Sequence, residues 1–141
     1  MYSTQDDILE RIPEETVIQL TDDEDTGAIV ATRVTAAIGR ADGEIDFWCG
    51  RRYSVPFTTV PDIIAELSTD MAIYFLYGRT LDEMPKTRVD AYKNAVRMLE
   101  KISEGKGVDL GVALATVTPS GTSASFTGND RQFTRDKLRD M

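Results

Sequence analysis

Few residues in this 141-residue chain are of a type and spacing that does chemistry, so each candidate can be weighed singly. Asp42 and Asp46 share a helix face at the i, i+4 spacing that general acid–base pairs use, yet no third group accompanies them to form a pocket. They read as solvated face residues, with Asp46 tethering Arg51 or Arg52. The run Asp22–Asp25 suggests a calcium loop: starting at Asp22, Gly27 takes the sixth position, but the twelfth holds Arg33 where a bidentate glutamate belongs. A capping loop is the better account. Ser103 and Lys106 have the serine-x-x-lysine spacing of acyl-transfer enzymes, but that serine opens a helix and this one closes one. Gly105-Lys106-Gly107 lacks the loop and the following hydroxyl of a phosphate-binding turn. Cys49 lies at the end of an apolar stripe and reads as a buried small hydrophobe. The chain contains no histidine, which excludes Ser-His-Asp and Cys-His activation and imidazole metal sites. No cofactor is implied.

The elements that position these residues follow from caps and periodicity. Thr4 caps a short helix that starts with acids and ends before Pro13. Pro13-Glu14-Glu15 opens a second short helix with Val17, Ile18 and Leu20 inward. A long helix is expected from about Ala28 to Gly50. Its stripe Val30, Val34, Ala37, Ala41, Ile45, Trp48 runs at steps of four, three, four, four and three, with Arg33, Arg40, Asp42, Glu44 and Asp46 on the other faces. Gly39 and Gly43, four apart, suit the close approach of a neighbouring backbone.

After an aromatic, basic, proline-bearing elbow, Gly50 to Phe57, another helix starts at Pro61-Asp62. It turns Ile63, Ile64, Leu67, Met71, Tyr74 and Phe75 inward and ends in a turn near Thr80-Leu81-Asp82. Pro85 starts the last helix, with Val89, Tyr92, Val96, Leu99 and Ile102 inward, and Gly105 stops it. The expected fold is all-α: three long helices and two short N-terminal ones form a helical domain over 1–105, followed by an extended arm over 106–141. Val108 to Val117 is β-prone without an obvious partner strand in the chain. Beyond it, a linker-like Ser/Gly stretch leads to Phe126, Phe133 and Leu138 among Arg131 and Arg135. A free tail of this kind is expected to be disordered in solution and to gain order on a neighbouring subunit.

Charge narrows the function classes. Of the net −8, all of it sits in residues 1–25, where nine acidic residues face Arg11 alone; the other 15 acids and 15 bases cancel. Neither half offers a basic field for nucleic acid, so sequence-specific DNA binding is disfavoured. No stretch is apolar enough to span a membrane, and a lone cysteine fits a reducing compartment such as cytoplasm. Arg51-Arg52-Tyr53 is the richest cluster. One arginine pairing with a helix carboxylate while Tyr53 packs on the core is one reading. An intersubunit contact is the other, since Arg and Tyr are enriched at interface hot spots.

The order of features resembles the Mu-type bacteriophage head–tail connector family. The resemblance rests on Tyr2 with Thr4 and Asp7-Ile8-Leu9, then Leu20-Thr21-Asp22-Asp23, Ala37, Ala41 and Glu44-Ile45-Asp46, and Arg52-Tyr53-x-x-Pro56. It continues through Val60-Pro61, Tyr74-x-x-Tyr77, the Tyr92 to Gly105-Lys106 helix and Arg131-Gln132-Phe133-Thr134-Arg135-Asp136. Trp48-Cys49 departs from it, and 106–125 is not diagnostic. The resemblance implies a non-enzymatic virion protein of the neck, made in the host cytoplasm. Such proteins form a ring, typically a dodecamer, beneath the portal protein and offer a docking surface to the tail or its terminator. Arg51, Arg52, Tyr53, Pro56 and Phe57 of the elbow, with Phe126, Arg131, Phe133, Arg135 and Leu138 of the arm, are then the expected partner contacts. Acids of residues 1–25 facing a DNA channel would keep DNA from sticking. A small helical regulatory or antitoxin-like protein with a partner-binding tail is the competing class, and an enzyme using carboxylates alone is a remote third.

Overall fold

The structure, a computed structural model, describes residues 1–80 and 83–116. Five helices follow in order: α1 (Gln5–Leu9), α2 (Glu14–Thr21), α3 (Ala31–Cys49), α4 (Asp62–Thr80) and α5 (Lys86–Ser103). The three long helices form the expected all-α bundle. α3 and α4 make the main contact, α5 packs on both, and α1 and α2 pack on both as well. α4 buries residues on nearly every side, including Ile64, Leu67, Met71, Ile73, Phe75 and Leu76, as a helix apolar all round must when it sits at the centre.

The helix starts follow local chemistry. Thr4 forms a reciprocal capping box with Asp7, the Thr4 hydroxyl accepting from the Asp7 N–H and Asp7 accepting from the Thr4 N–H at 2.7 Å. Pro13 and Pro85 stand immediately before α2 and α5, and Gly105, with φ of +73°, follows the end of α5. α3 begins three residues later than its periodicity predicts. Gly27, at φ of +74°, turns the chain, and Val30 is extended, so the helix cannot extend back to Ala28. Cys49 is buried as its place at the end of the apolar stripe predicts, but the face departs from that stripe at two points: Ile38 is also buried, and Trp48 is only half-buried. From Ile45 the step to the core is four rather than three.

The acidic loop after α2 is a capping loop. Asp22 accepts from the Gly27 N–H at 2.6 Å and from the Thr26 hydroxyl at 3.0 Å. Hydrogen bonding, led by the Thr26 backbone N–H, holds the Asp22 carboxyl below the usual carboxylate range. Arg33 reaches Asp23 and Glu24, and Arg79 donates to Asp23 at 2.9 Å and to the Leu20 carbonyl at 2.6 Å. Two arginines of the bundle thus fasten the loop to α3 and α4. Tyr92 of α5 stacks on Tyr74 at 4.2 Å between ring centroids and donates to Glu44 at 2.8 Å, while Arg40 lies 4.2 Å over the Phe75 ring.

Gly39 and Gly43 do not receive a neighbouring backbone. Both are exposed, and a Cβ on either would meet nothing within 4 Å. Gly39→Ala and Gly43→Ala should therefore each stabilise the protein by about 0.5–1 kcal/mol, the helix-propensity difference. Urea denaturation measures this; a fall in midpoint for either variant would place a close neighbour on that face.

Candidate interface at the elbow

The elbow is built by the last turn of α3. The Gly50 N–H donates to the Asp46 carbonyl at 2.8 Å, and the Cys49 carbonyl accepts from the N–H groups of Arg52 and Tyr53. Gly50 is required here by space, since a Cβ would lie 2.8 Å from the Asp46 carbonyl oxygen and 3.2 Å from Val55. The chain then passes through a cis Val55–Pro56 peptide and reaches α4 at Pro61.

Tyr53 and Phe57 point into the core, 2% and 7% exposed, and the Phe57 ring sits between two tyrosines, 5.5 Å from Tyr2 and 6.3 Å from Tyr53. The Tyr2 hydroxyl donates to Asp46 and accepts from the Phe57 N–H at 3.0 Å. The polar chain continues through the backbone of Tyr2 and through Ser3. The Tyr2 N–H donates to Asp42 at 2.9 Å, Ser68 of α4 donates to the other Asp42 oxygen at 2.7 Å, and Ser3 and Ser68 share a hydrogen bond of 2.8 Å. Asp42 and Asp46 are therefore half-buried staples that hold the N-terminus, α4 and the elbow on α3, not the solvated pair the sequence suggests. Asp46 tethers Tyr2 rather than Arg51 or Arg52. The sequence could not pair residues 44 positions apart.

The β-prone segment has a partner after all, and it is the elbow. Leu114 forms an isolated antiparallel bridge with Tyr53: the Ser54 N–H donates to the Ala113 carbonyl at 3.2 Å and the Ala115 N–H to the Arg52 carbonyl at 2.9 Å. Leu110 is buried and Val112 packs against the core, so residues 106–116 are laid back across the elbow. Gly105 makes room for this. The Arg52 guanidinium lies over it, where a Cβ at 105 would overlap Arg52 Nη1.

The site residues expected from sequence divide accordingly. Arg51, Arg52 and Pro56 are exposed; Tyr53 and Phe57 are buried within the chain. Phe126, Arg131, Phe133, Arg135 and Leu138 lie outside the described residues. The structure adds two exposed apolar side chains that flank the elbow: Phe47, 72% exposed and edge-on to Trp48 at 5.7 Å, and Leu114, 56% exposed. Phe47 was visible in the sequence as an aromatic residue off the apolar stripe of α3. Leu114 carried no such signal.

Cys49 is fully buried, and desolvation, with the nearby Asp46 charge, pushes its thiol up to about 11. Among the described residues no group of three or more Cys, Asp or Glu side chains is placed to hold a metal ion, and no helix is long and apolar enough to cross a membrane.

The geometry defines a class: an all-α helical bundle with an elbow that turns two arginines to solvent. Residues 2–127 match the family model described as Bacteriophage Mu, Gp36, and the chain belongs to that family. It is 27% identical over 114 residues to the Mu-like prophage FluMu protein gp36 of Haemophilus influenzae, a match that covers 80% of this chain and 77% of the relative.

Two measurements test the buried network. Tyr2→Phe keeps the ring but leaves the Asp46 carboxylate and the Phe57 N–H without their partner, and should cost about 1–3 kcal/mol of unfolding free energy. Burial, then the hydrogen bond to Asp46, raises the Tyr2 hydroxyl well above the usual tyrosine value, and burial with Glu44 pushes Tyr92 up to about 12. Both folded values are raised, so their stabilisation is complete below the unfolded tyrosine value of about 10 and is lost as pH rises through the folded values. Unfolding free energy should fall above about pH 10, and less steeply in a Tyr2→Phe, Tyr92→Phe double variant. An unchanged alkaline slope would contradict the assigned hydrogen bonds. Cys49, for its part, should react with a thiol reagent only at the rate of unfolding; fast labelling of the native protein would show that the α3 end is open.

Proposed function

We propose that this protein is a non-enzymatic structural part of the phage particle, a head–tail connector. Copies form a ring, twelvefold in the form we favour, under the portal protein, and the ring presents a docking surface to the tail or its terminator. DNA passes through the ring without sequence recognition, and the protein resides in the virion neck. Membership in the Mu gp36 family over residues 2–127 is the observation that carries this reading. The elbow supports it: Arg51, Arg52 and Pro56 face solvent, and Phe47 and Leu114 stand exposed on the segments that flank them. Exposed aromatic and guanidinium groups on a rigid support are the composition of an interface hot spot.

The proposed division of labour has two parts. The helical domain, 1–105, packs side by side in the ring. The arm, 106–141, starts on the elbow through the Tyr53–Leu114 bridge and continues to a neighbouring protein. Its contacts there are Phe126, Arg131, Phe133, Arg135 and Leu138, and a strand added to a partner's sheet edge is the simplest mode.

Arg52→Ala and a chain truncated before Phe126 test the reading. Both should retain near-wild-type helical circular dichroism and lose co-sedimentation with the cognate portal. Loss of folding in either variant would make that residue or segment part of the core. Wild-type co-sedimentation by both variants would show that the elbow and arm do not dock.

A further inference from the structure

The layering of the bundle sets two charged faces apart. α1 and α2 pack on one side of the α3–α4 pair, and α5 packs on that same pair without joining α1 and α2 in any substantial contact. The first face is acidic. Within residues 1–25 the loop acids Asp22, Asp23 and Glu24 already have partners in Thr26, Gly27, Arg33 and Arg79, and Arg11 pairs with Asp70. Asp7 is taken up in the Thr4 capping box and Asp25 belongs to the loop, so Asp6, Glu10, Glu14 and Glu15 stand exposed on α1, its C-cap and the start of α2, without a cationic partner among the described residues. The second face is basic. α5 carries five basic side chains against Asp90 and Glu100. Lys86, Lys93, Arg97 and Lys101 recur at steps of seven, four and four, which places them on one outward stripe, and all four are exposed.

We propose that copies of this chain associate through these faces, the basic stripe of α5 on one copy against the acidic α1–α2 face of the next. The inference rests on the connector reading and names the surface by which neighbours in the ring meet. It also uses the N-terminal acids between subunits rather than at a DNA channel. Charge decides the symmetry. A two-fold dimer through either face would set like charges against each other, whereas a head-to-tail contact satisfies both faces in every copy and closes into a ring if the rotation allows. Overall repulsion between copies of net charge −8 does not override this, because the Debye length is about 8 Å at physiological salt and only charges within the contact are felt. Exposed ion pairs contribute little singly, so these charges set partner, register and association rate while packing across the contact holds it.

Reversal of the two faces tests the contact. The variant K86E/K93E/R97E has two acidic faces, and E10K/E14K/E15K has two basic ones. Oligomer mass is measured by sedimentation with the full-length chain, with and without cognate portal, after circular dichroism confirms folding. Each variant alone should assemble about a hundredfold more weakly than wild type, because like charges then oppose across the contact. An equimolar mixture should regain assembly to within about tenfold, since each variant again meets its complement. K86E/K93E/R97E also keeps a wild-type acidic face, so added to wild type it should end growing chains and lower the yield of rings. That measurement decides the matter even if E10K/E14K/E15K fails to fold. Variants that assemble like wild type, or a mixture as inert as its parts, would overturn the contact while leaving the connector reading intact. A wild-type chain that stays monomeric with portal present would overturn both.

Discussion

Tyr2 places its oxygen between the Asp46 carboxylate of α3 and the Phe57 N–H of the elbow, and its ring between Phe57 and the core. Without that oxygen, a half-buried carboxylate and a backbone donor lose their partner together, and buried polar groups left unmade cost more than the net gain of making them. The same N-terminal segment, one residue on, reaches α4 through Ser3 and Ser68, with Asp42 accepting from both Ser68 and the Tyr2 N–H. Three separate parts of the chain are thus referred to two carboxylates one turn apart on α3.

What this network fixes is the shape of the elbow. Tyr53 and Phe57 are spent on the core, which turns Arg51, Arg52 and Pro56 outward. The bridge to Leu114 then closes the elbow from the other side, and the glycine at 105 lets Arg52 lie flat across the end of α5. A contact surface gains affinity when its side chains are held before the partner arrives, because less freedom is lost on binding. The arginines of the elbow sit on such a support, with Phe47 and Leu114 at its margins.

The helices were legible because their signals are local. Thr4, Pro13, Pro85 and Gly105 mark starts and stops within a few residues of where the chain obeys them, and the apolar period of α3 and α5 is read over single windows. The face of α3 was legible only in part: Cys49 is buried as its position suggests, but Ile38 is buried and Trp48 half-buried through the packing of neighbouring elements, which a single helix does not reveal. The elbow's support was not legible. Tyr2 with Asp46, Ser3 with Ser68 and Tyr53 with Leu114 are pairs more than forty positions apart, and their residue types permit many partners. Asp42 and Asp46 illustrate this: the spacing that suggests a solvated pair is also the spacing that lets two carboxylates receive one N-terminal segment. Gly39 and Gly43 illustrate the converse, a pattern that suits helix contact but stands open in the single chain.

The central claim is that this helical body exists to be built into a symmetric neck. Electron microscopy of the purified protein mixed with its cognate portal, beside the protein alone, tests it most directly. The account predicts a symmetric ring stacked on portal, with the elbow and the start of the arm at its contacts. A portal that stays bare while the protein remains a small separate particle would contradict it.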